Sequence, residues 1–411
     1  MKTQHDQAKG RSAISANRFI ILMLGALVTI TPFSIDMYLP AFSQMAKDFG
    51  TTPAKISLSV TSYFIGMAIG QMIYGPLLDR YGRKKPLYYG LGIYLLTSVG
   101  CLLSGSVNML IALRFLQALG GCVAWVAAMA MVRDFFSNED MPKVLSLLIL
   151  LIGSSPLLAP TVGGFITDSL GWQWVFIVLI CMVVVDMIVT ALFLPQKYQP
   201  DPSVSLKMKP MLATFYSILK HPQFAVYTWS GAFGFASMFI YVAGSPVIFM
   251  EIFHVSPKLY GGIFALLSVG FIGSGQVNIL LLKKYTSAQI YRVAIYVQVL
   301  TSAIFLYGTL QGWYGLVATI VLFFIILSCL GFMYPNSNAL ALAPFKKNAG
   351  SASALIGCLQ IGLAGLASGS VGLFNAKNST PIVVMLFVTA VIGLLILVAG
   401  KRKAELTTGM A

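Results

Sequence analysis

Gly75-Pro76-Leu77-Leu78-Asp79-Arg80-Tyr81-Gly82-Arg83-Lys84-Lys85 is a charged island between two apolar runs, 55–78 and 86–105. A helix needs about 20 apolar residues to cross a hydrocarbon core of roughly 30 Å, and each run supplies them. The island is too short to be a domain and too polar to lie in lipid, so it reads as a turn at a membrane face. Gly82 permits a tight turn, Gly75 permits close helix packing, and Asp79 favours the positive N-terminus of the helix that follows. Arg80 and Arg83 are placed to bridge to carboxylates on neighbouring helices.

Working outward, the same alternation continues to both ends of the chain. The composition is 58% hydrophobic and 9% charged, where a soluble domain carries about 25% charged residues. Spans are expected at 18–41, 55–78, 86–105, 108–131, 142–167, 172–195, 222–250, 258–282, 288–310, 313–343, 350–375 and 380–400. Only helices fit, because the runs lack short alternation and lipid leaves every backbone group to be satisfied internally. The first run, from about Phe19, is too long for a cleaved signal peptide and is read as the first span.

The net charge of +15 suggests nucleic acid at first sight. That reading is rejected, because the basic residues sit in short clusters between apolar runs and not on one polar surface. With the N-terminus inside, the cytoplasmic connections and tails hold 22 of the 27 Lys and Arg residues. Only Lys47, Lys55, Lys258 and Lys377 fall outside, and Arg114 falls within the membrane. The positive-inside rule then puts both termini in the cytoplasm. Cys101, Cys122, Cys181, Cys329 and Cys358 all lie in apolar runs and read as packing residues, with no disulfide frame and no metal site. His5, His221 and His254 are too scattered for ligation.

One long polar stretch, 196–221, carries Pro200, Pro202 and Pro210 just after Pro195 and separates six spans from six. Gly70-Gln71 stands nine residues before Asp79, and Gly275-Gln276 stands at the same interval before Lys284. The division is therefore a cytoplasmic tail 1–17, a six-helix half 18–195, a linker 196–221, a second half 222–400 and a cytoplasmic tail 401–411. The fold class is all-α, with twelve transmembrane helices in two pseudo-symmetric halves and a substrate cavity between them.

The 75–85 island resembles the signature loop of the major facilitator superfamily, in which a glycine is followed by Asp-Arg and then Gly-Arg-Lys. The resemblance implies that Gly75, Asp79, Arg80, Gly82 and Arg83 bias the protein toward the outward-open state, closed on the inside, without touching substrate, with Asp134 as the partner at the cytoplasmic end of the fourth span. Arg114-Phe115-Leu116-Gln117-Ala118-Leu119-Gly120-Gly121 resembles the buried-arginine motif of the same superfamily. Ser34-Ile35-Asp36-Met37-Tyr38-Leu39-Pro40 closely resembles the Bcr/CflA group of drug-resistance transporters. Gly70 to Pro76, Met131-Val132-Arg133-Asp134 and Gly171-Trp172-Gln173-Trp174-Val175-Phe176 match that group too, so the likeness covers the first half. Ala159-Pro160-Thr161-Val162-Gly163-Gly164 is a degenerate antiporter-type motif, with alanine where glycine usually precedes the proline. Pro160, Gly163 and Gly164 keep the kink and the close packing.

The candidate coupling residues are Asp36 and Arg114. A buried arginine is expensive in lipid, so Arg114 faces a cavity or a partner, or else snorkels outward from about 9 Å along its helix. Asp36 lies about 25 Å along the first helix, at a depth Arg114 could share. Low polarity favours the neutral form of a carboxyl group and a nearby guanidinium the charged one, the requirement for a proton carrier. The other reading is an Asp–backbone bond that stabilises the Pro32–Pro40 stretch. Tyr38, Gln117, Met238 and Tyr241 are candidate cavity residues, with core packing the alternative for the last two. Asp186 is read as structural or snorkelling with a transport role as the alternative, Glu251 as water-accessible at the outer surface, and Asn336 and Asn338 as an inner gate or as partners for backbone freed by Pro335.

No phosphate loop, Walker lysine or catalytic triad pattern appears, so no enzyme activity and no cofactor are expected. The leading function is a proton-driven exporter of small hydrophobic drugs or metabolites, multi-pass and monomeric in a bacterial inner membrane. A proton-coupled nutrient importer of the same fold is the alternative, and a membrane enzyme or channel the remote one.

Overall fold

The computed structural model describes residues 2–136, 141–194, 200, 208–345, 349–373 and 379–408, and among them the regular structure is helical. The first half comprises α1 (Lys2–Asp36), a short α2 (Phe42–Asp48), α3 (Pro53–Tyr81), α4 (Lys84–Leu102), α5 (Val107–Phe135), α6 (Met141–Leu170) and α7 (Gln173–Phe193). A linker helix, α8 (Met208–Leu219), precedes the second half. That half comprises α9 (Pro222–Pro246), α10 (Pro257–Leu281), α11 (Ser287–Leu310), α12 (Leu316–Leu342), α13 (Ala349–Leu373) and α14 (Thr380–Thr408). Setting aside α2 and α8, six long helices stand on either side of the linker. Ten of the twelve are long and apolar enough to cross a membrane; α4 and α6 hold the third and fifth places among them.

Helix starts follow local signals. The side chains of Ser106, Ser256 and Thr286 accept the backbone N–H three residues on, and Pro53 and Pro257 occupy first-turn positions where no N–H is needed. Several boundaries differ from the sequence expectation. α1 begins at Lys2 and α14 runs to Thr408, so segments expected as tails are helical. Ala, Gln, Lys and Arg there are good helix formers, although too polar to count as span. Part of the expected linker loop is α8, whose Phe215 and Ile218 bury against Phe224, Leu355 and Ile356. The 195–196 boundary, Pro202, Lys346, Lys347 and Lys377 lie outside the described residues.

The two halves share one core on the face opposite the 79–85 loop, and toward the face that bears it each has a core of its own, with Met72 of α3 still packed against that of the second half. The shared core joins Tyr38, Phe42 and Met45 to Phe249, Tyr260 and Phe264. Toward the loop face, Met23, Leu27, Leu78 and Leu91 form a core of the first half alone, while Phe224, Ala341 and Ile356 belong to another. The described polar contacts between halves lie in the region away from the loop. Ser43 Oγ donates to Glu251 Oε1 at 2.6 Å, Thr61 Oγ1 and Ser368 Oγ lie 3.1 Å apart, and Ser268 Oγ donates to Pro156 O at 3.3 Å. The halves therefore close on each other at the face away from the 79–85 loop.

Candidate functional site

The Ser34–Pro40 string acts first on the backbone. Pro40 has no N–H to give the Asp36 carbonyl, and its ring crowds that carbonyl. α1 therefore stops at Asp36, a 3₁₀ turn spans Leu39–Ala41, and the chain resumes as α2. The last carbonyls of α1 lose their intrahelical donors. Arg114 supplies one: its Nη2 donates to Ser34 O at 2.8 Å. A cation at a helix C-terminus also faces the negative end of the dipole.

The rest of the Arg114 surround completes this cap. Nη1 donates to Gln117 Oε1 at 2.6 Å, and Gln117 Nε2 passes the chain to Ser98 Oγ at 2.7 Å. The guanidinium carbon lies 4.7 Å from the Tyr38 ring centroid and 4.3 Å from that of Tyr63. Desolvated cation–π contacts of this kind are worth about 2 kcal/mol or more. Arg114 is 0% exposed, so it does not snorkel. The dipole end, two carbonyl-type acceptors and two π faces take the place of a carboxylate.

Asp36 and Arg114 make no ion pair, which corrects the expectation that the guanidinium sets the charge of this carboxyl. Ser34 and Asp36 are two residues apart, about 200° around a helix, so the group that binds Ser34 stands behind Asp36. Asp36 instead faces the second half, within electrostatic reach of Tyr241 and Tyr260. It is 6% exposed and, among the described residues, has neither an ion-pair partner nor a side-chain hydrogen bond. It also sits at the negative end of the α1 dipole, an electrostatic cost for an anion.

Three of the four expected cavity residues are core residues. Tyr38 is buried with its hydroxyl 2.7 Å from Ser59 Oγ, Gln117 is spent on Arg114 and Ser98, and Tyr241 is enclosed by Phe264 and Phe323. Met238 is half-buried. Beside it runs an aromatic series that the sequence reading missed. Phe64 of α3 meets Phe239 of α9 at 4.5 Å, Phe239 meets Phe235 at 5.6 Å, and Phe235 meets Tyr334 of α12 at 4.6 Å and Phe271 of α10 at 6.3 Å. The available signal was the spacing of Phe235, Met238 and Phe239, one face of a helix. Their partners on other helices carried none.

Around this centre, Gly163 and Gly164 let α6 approach the broken end of α1 and the start of α10. A Cβ at Gly163 would run into Met37 O, and one at Gly164 would lie 2.6 Å from Pro257 O. Across the contact, a Cβ at Gly261 would lie 2.7 Å from the carbonyl oxygen of Pro160. At the loop face, Arg83 donates through Nε to Asp134 Oδ2 and through Nη1 to Asp79 Oδ1, each at 2.7 Å. Burial lowers the pKa of Arg83, but hydrogen bonds to Asp134 and Asp79 and their charges outweigh it and leave it raised. Gly82 has φ of 81°, a left-handed turn, while Arg80 stands 5.8 Å over Tyr81. Gly75 is a correction: a Cβ there would meet nothing within 4 Å. The close packing of α3 falls to Gly66 and Gly70, against Phe115 O and Cys122 of α5.

Of the remaining polar groups, Asp186 is 4% exposed on the inward stripe of α7 with Val183 and Thr190, so it too does not snorkel. Glu251 is exposed and holds Ser43. Asn336 donates to Asn278 Oδ1 at 2.7 Å and to Phe332 O at 2.8 Å, and Asn338 accepts from Gln360 at 2.9 Å.

Two six-helix halves, sealed together at one face and joined around a buried carboxyl at a helix break, define a multi-pass membrane transporter of small molecules. The chain belongs to the Major Facilitator Superfamily, whose family profile matches residues 23–369. It is 32% identical over 381 residues to a Bacillus subtilis (strain 168) protein described as the uncharacterized MFS-type transporter YdgK, covering 91% of this chain and 93% of that one. It is 28% identical over 383 residues to the bicyclomycin resistance protein homolog of Haemophilus influenzae, covering 91% and 94%. Among solved structures, a D-xylose-proton symporter superposes with a TM-score of 0.69 at 14% identity, covering 91% of this chain and 96% of that one. This last likeness concerns the fold.

Proposed function

We propose that this protein is a proton-driven exporter of small, largely hydrophobic drugs or metabolites, working by alternating access in a bacterial inner membrane. The observation that carries the reading is Asp36, a carboxyl buried between the halves with no cation paired to it among the described residues. An ionised carboxylate so placed costs several kcal/mol, and a proton removes that cost. With the outer side closed, Asp36 gives its proton to the cytoplasmic side as substrate enters. When the halves rock and the outer side opens, substrate leaves and Asp36 takes a proton from outside. Arg114 keeps the α1 end rigid through both states, and the Arg83 pair with Asp79 and Asp134 holds the loop face.

The aromatic series from Phe64 to Tyr334 offers flat apolar faces with few polar anchors, which suits hydrophobic substrates of varied shape. The bicyclomycin-resistance relative supports export over import. The protein works as a monomer with both termini in the cytoplasm and draws on the proton gradient alone, without a cofactor. The test is uptake of a panel of fluorescent and antibiotic compounds into inside-out vesicles with an imposed pH gradient. Gradient-dependent accumulation that a protonophore abolishes is expected. Accumulation indifferent to the protonophore, or movement of substrate in the same direction as protons, would overturn the reading.

A further inference from the structure

On the outside of the second half, the inner ends of α10 and α11 and the middle of α12 line an apolar groove of about 430 Å³. Such a volume lies within the range of small-ligand sites. Ala294 and Cys329 form its buried floor, Leu281 and Phe332 its ends, and Val293 and Val297 its exposed wall. From Gln289 to Val297 it descends about 12 Å along α11. One leaflet of a bilayer is roughly 15 Å deep, so the groove matches the reach of one acyl chain. α11 packs only on α12 and α14 among its main contacts, so the groove opens to lipid and not to the junction of the halves.

The mouth is cationic. Lys283, Lys284 and Arg292 are exposed around it, and Lys284 Nζ stands 5.5 Å over the ring of Tyr285, itself a groove residue. Gln289, on the other lip, is locked by a reciprocal pair of bonds with Thr286 at 3.0 and 3.3 Å. No Asp or Glu occurs in the sequence between Glu251 and Glu405, so no carboxylate from this stretch offsets those charges. An apolar slot one leaflet deep under a cluster of cations matches one chemistry. We propose that the groove binds an anionic glycerophospholipid of the adjacent leaflet, one acyl chain in the slot and the phosphate at Lys283 and Lys284.

The test is native mass spectrometry of the full chain in detergent with equal phosphatidylglycerol and phosphatidylcholine of identical acyl chains. The wild type should retain phosphatidylglycerol over phosphatidylcholine by roughly tenfold. A Lys283→Gln/Lys284→Gln variant should retain lipid but lose that preference. A Val293→Trp/Val297→Trp variant, altered on the lipid-exposed wall where folding is least at risk, should lose the retained lipid. Thermal unfolding checks that both variants are folded. No preference in the wild type, or both variants retaining phosphatidylglycerol as the wild type does, would overturn the proposal. Displacement of the lipid by a transported compound would also overturn it and assign the groove to the substrate path.

Discussion

Substituting Gly164 or Gly261 by alanine should open the face away from the 79–85 loop. A Cβ at Gly164 would lie 2.6 Å from Pro257 O and 3.2 Å from its carbonyl carbon, and one at Gly261 would lie 2.9 Å from Thr161 Cα. Both obstacles are backbone, so no side chain can swing away. To move from 2.6 Å to the 3.4 Å of ordinary contact, α6 and α10 must part by about 0.8 Å. Overpacking of this kind costs about 1–3 kcal/mol. The helix-propensity gain of Gly→Ala, about 1 kcal/mol, is common to both states and cancels between them. The penalty falls only on the state in which these helix ends touch, so the ratio of molecules open at this face to molecules closed at it should rise about 5- to 150-fold. Spin labels on Lys47 and His254, exposed on the two halves at the face away from the loop, read this ratio by pulsed dipolar spectroscopy in a cysteine-free background. The long-distance population should grow in Gly164→Ala and again in Gly261→Ala. Distance distributions identical to the parent in both would refute the reasoning.

Three shorter predictions follow from the same geometry. Asp79→Asn weakens the hold on Arg83, so transport should fall while equilibrium drug binding stays close to wild type; loss of binding in a folded Asp79→Asn protein would contradict a purely conformational role. Replacing all five cysteines by alanine or serine should leave transport measurable, with packing losses of a few kcal/mol at most, and transport lost on adding a reductant or chelator to the wild type would speak against this. Arg114→Lys cannot reach Ser34 O and Gln117 Oε1 together while filling the space between two tyrosines. It should lower stability by about 2–4 kcal/mol, seen as a lower thermal unfolding midpoint in detergent; an unchanged midpoint would mean that the cap on α1 is dispensable.

Much of the fold was legible because lipid imposes one rule on every segment, and runs such as 55–78 and 86–105 obey it openly. Asp36 stood out as a carboxyl inside an apolar run, but the expected span of 18–41 ran through the break that Pro40 makes after Asp36. What failed was direction. Depth alone made Asp36 and Arg114 plausible neighbours, but depth does not say on which side of a helix a residue points, and two positions separate the bound Ser34 carbonyl from Asp36. Gly75 shows the same limit, since the signature loop names it while the contacts that need a glycine fall at Gly66 and Gly70. The aromatic series is drawn from α3, α9, α10 and α12, and only tertiary packing could reveal it. In α8, hydropathy concealed a helix that Phe215, Ile218 and Leu219 mark by their spacing.

The central claim is that Asp36 carries the proton. Purified wild type and Asp36→Asn, each shown folded by thermal unfolding, are compared in proteoliposomes for drug accumulation under an imposed pH gradient. The account predicts that gradient-driven accumulation vanishes in Asp36→Asn while downhill or exchange flux persists. Full gradient-driven accumulation by Asp36→Asn would contradict it and move attention to Asp186 and Glu251.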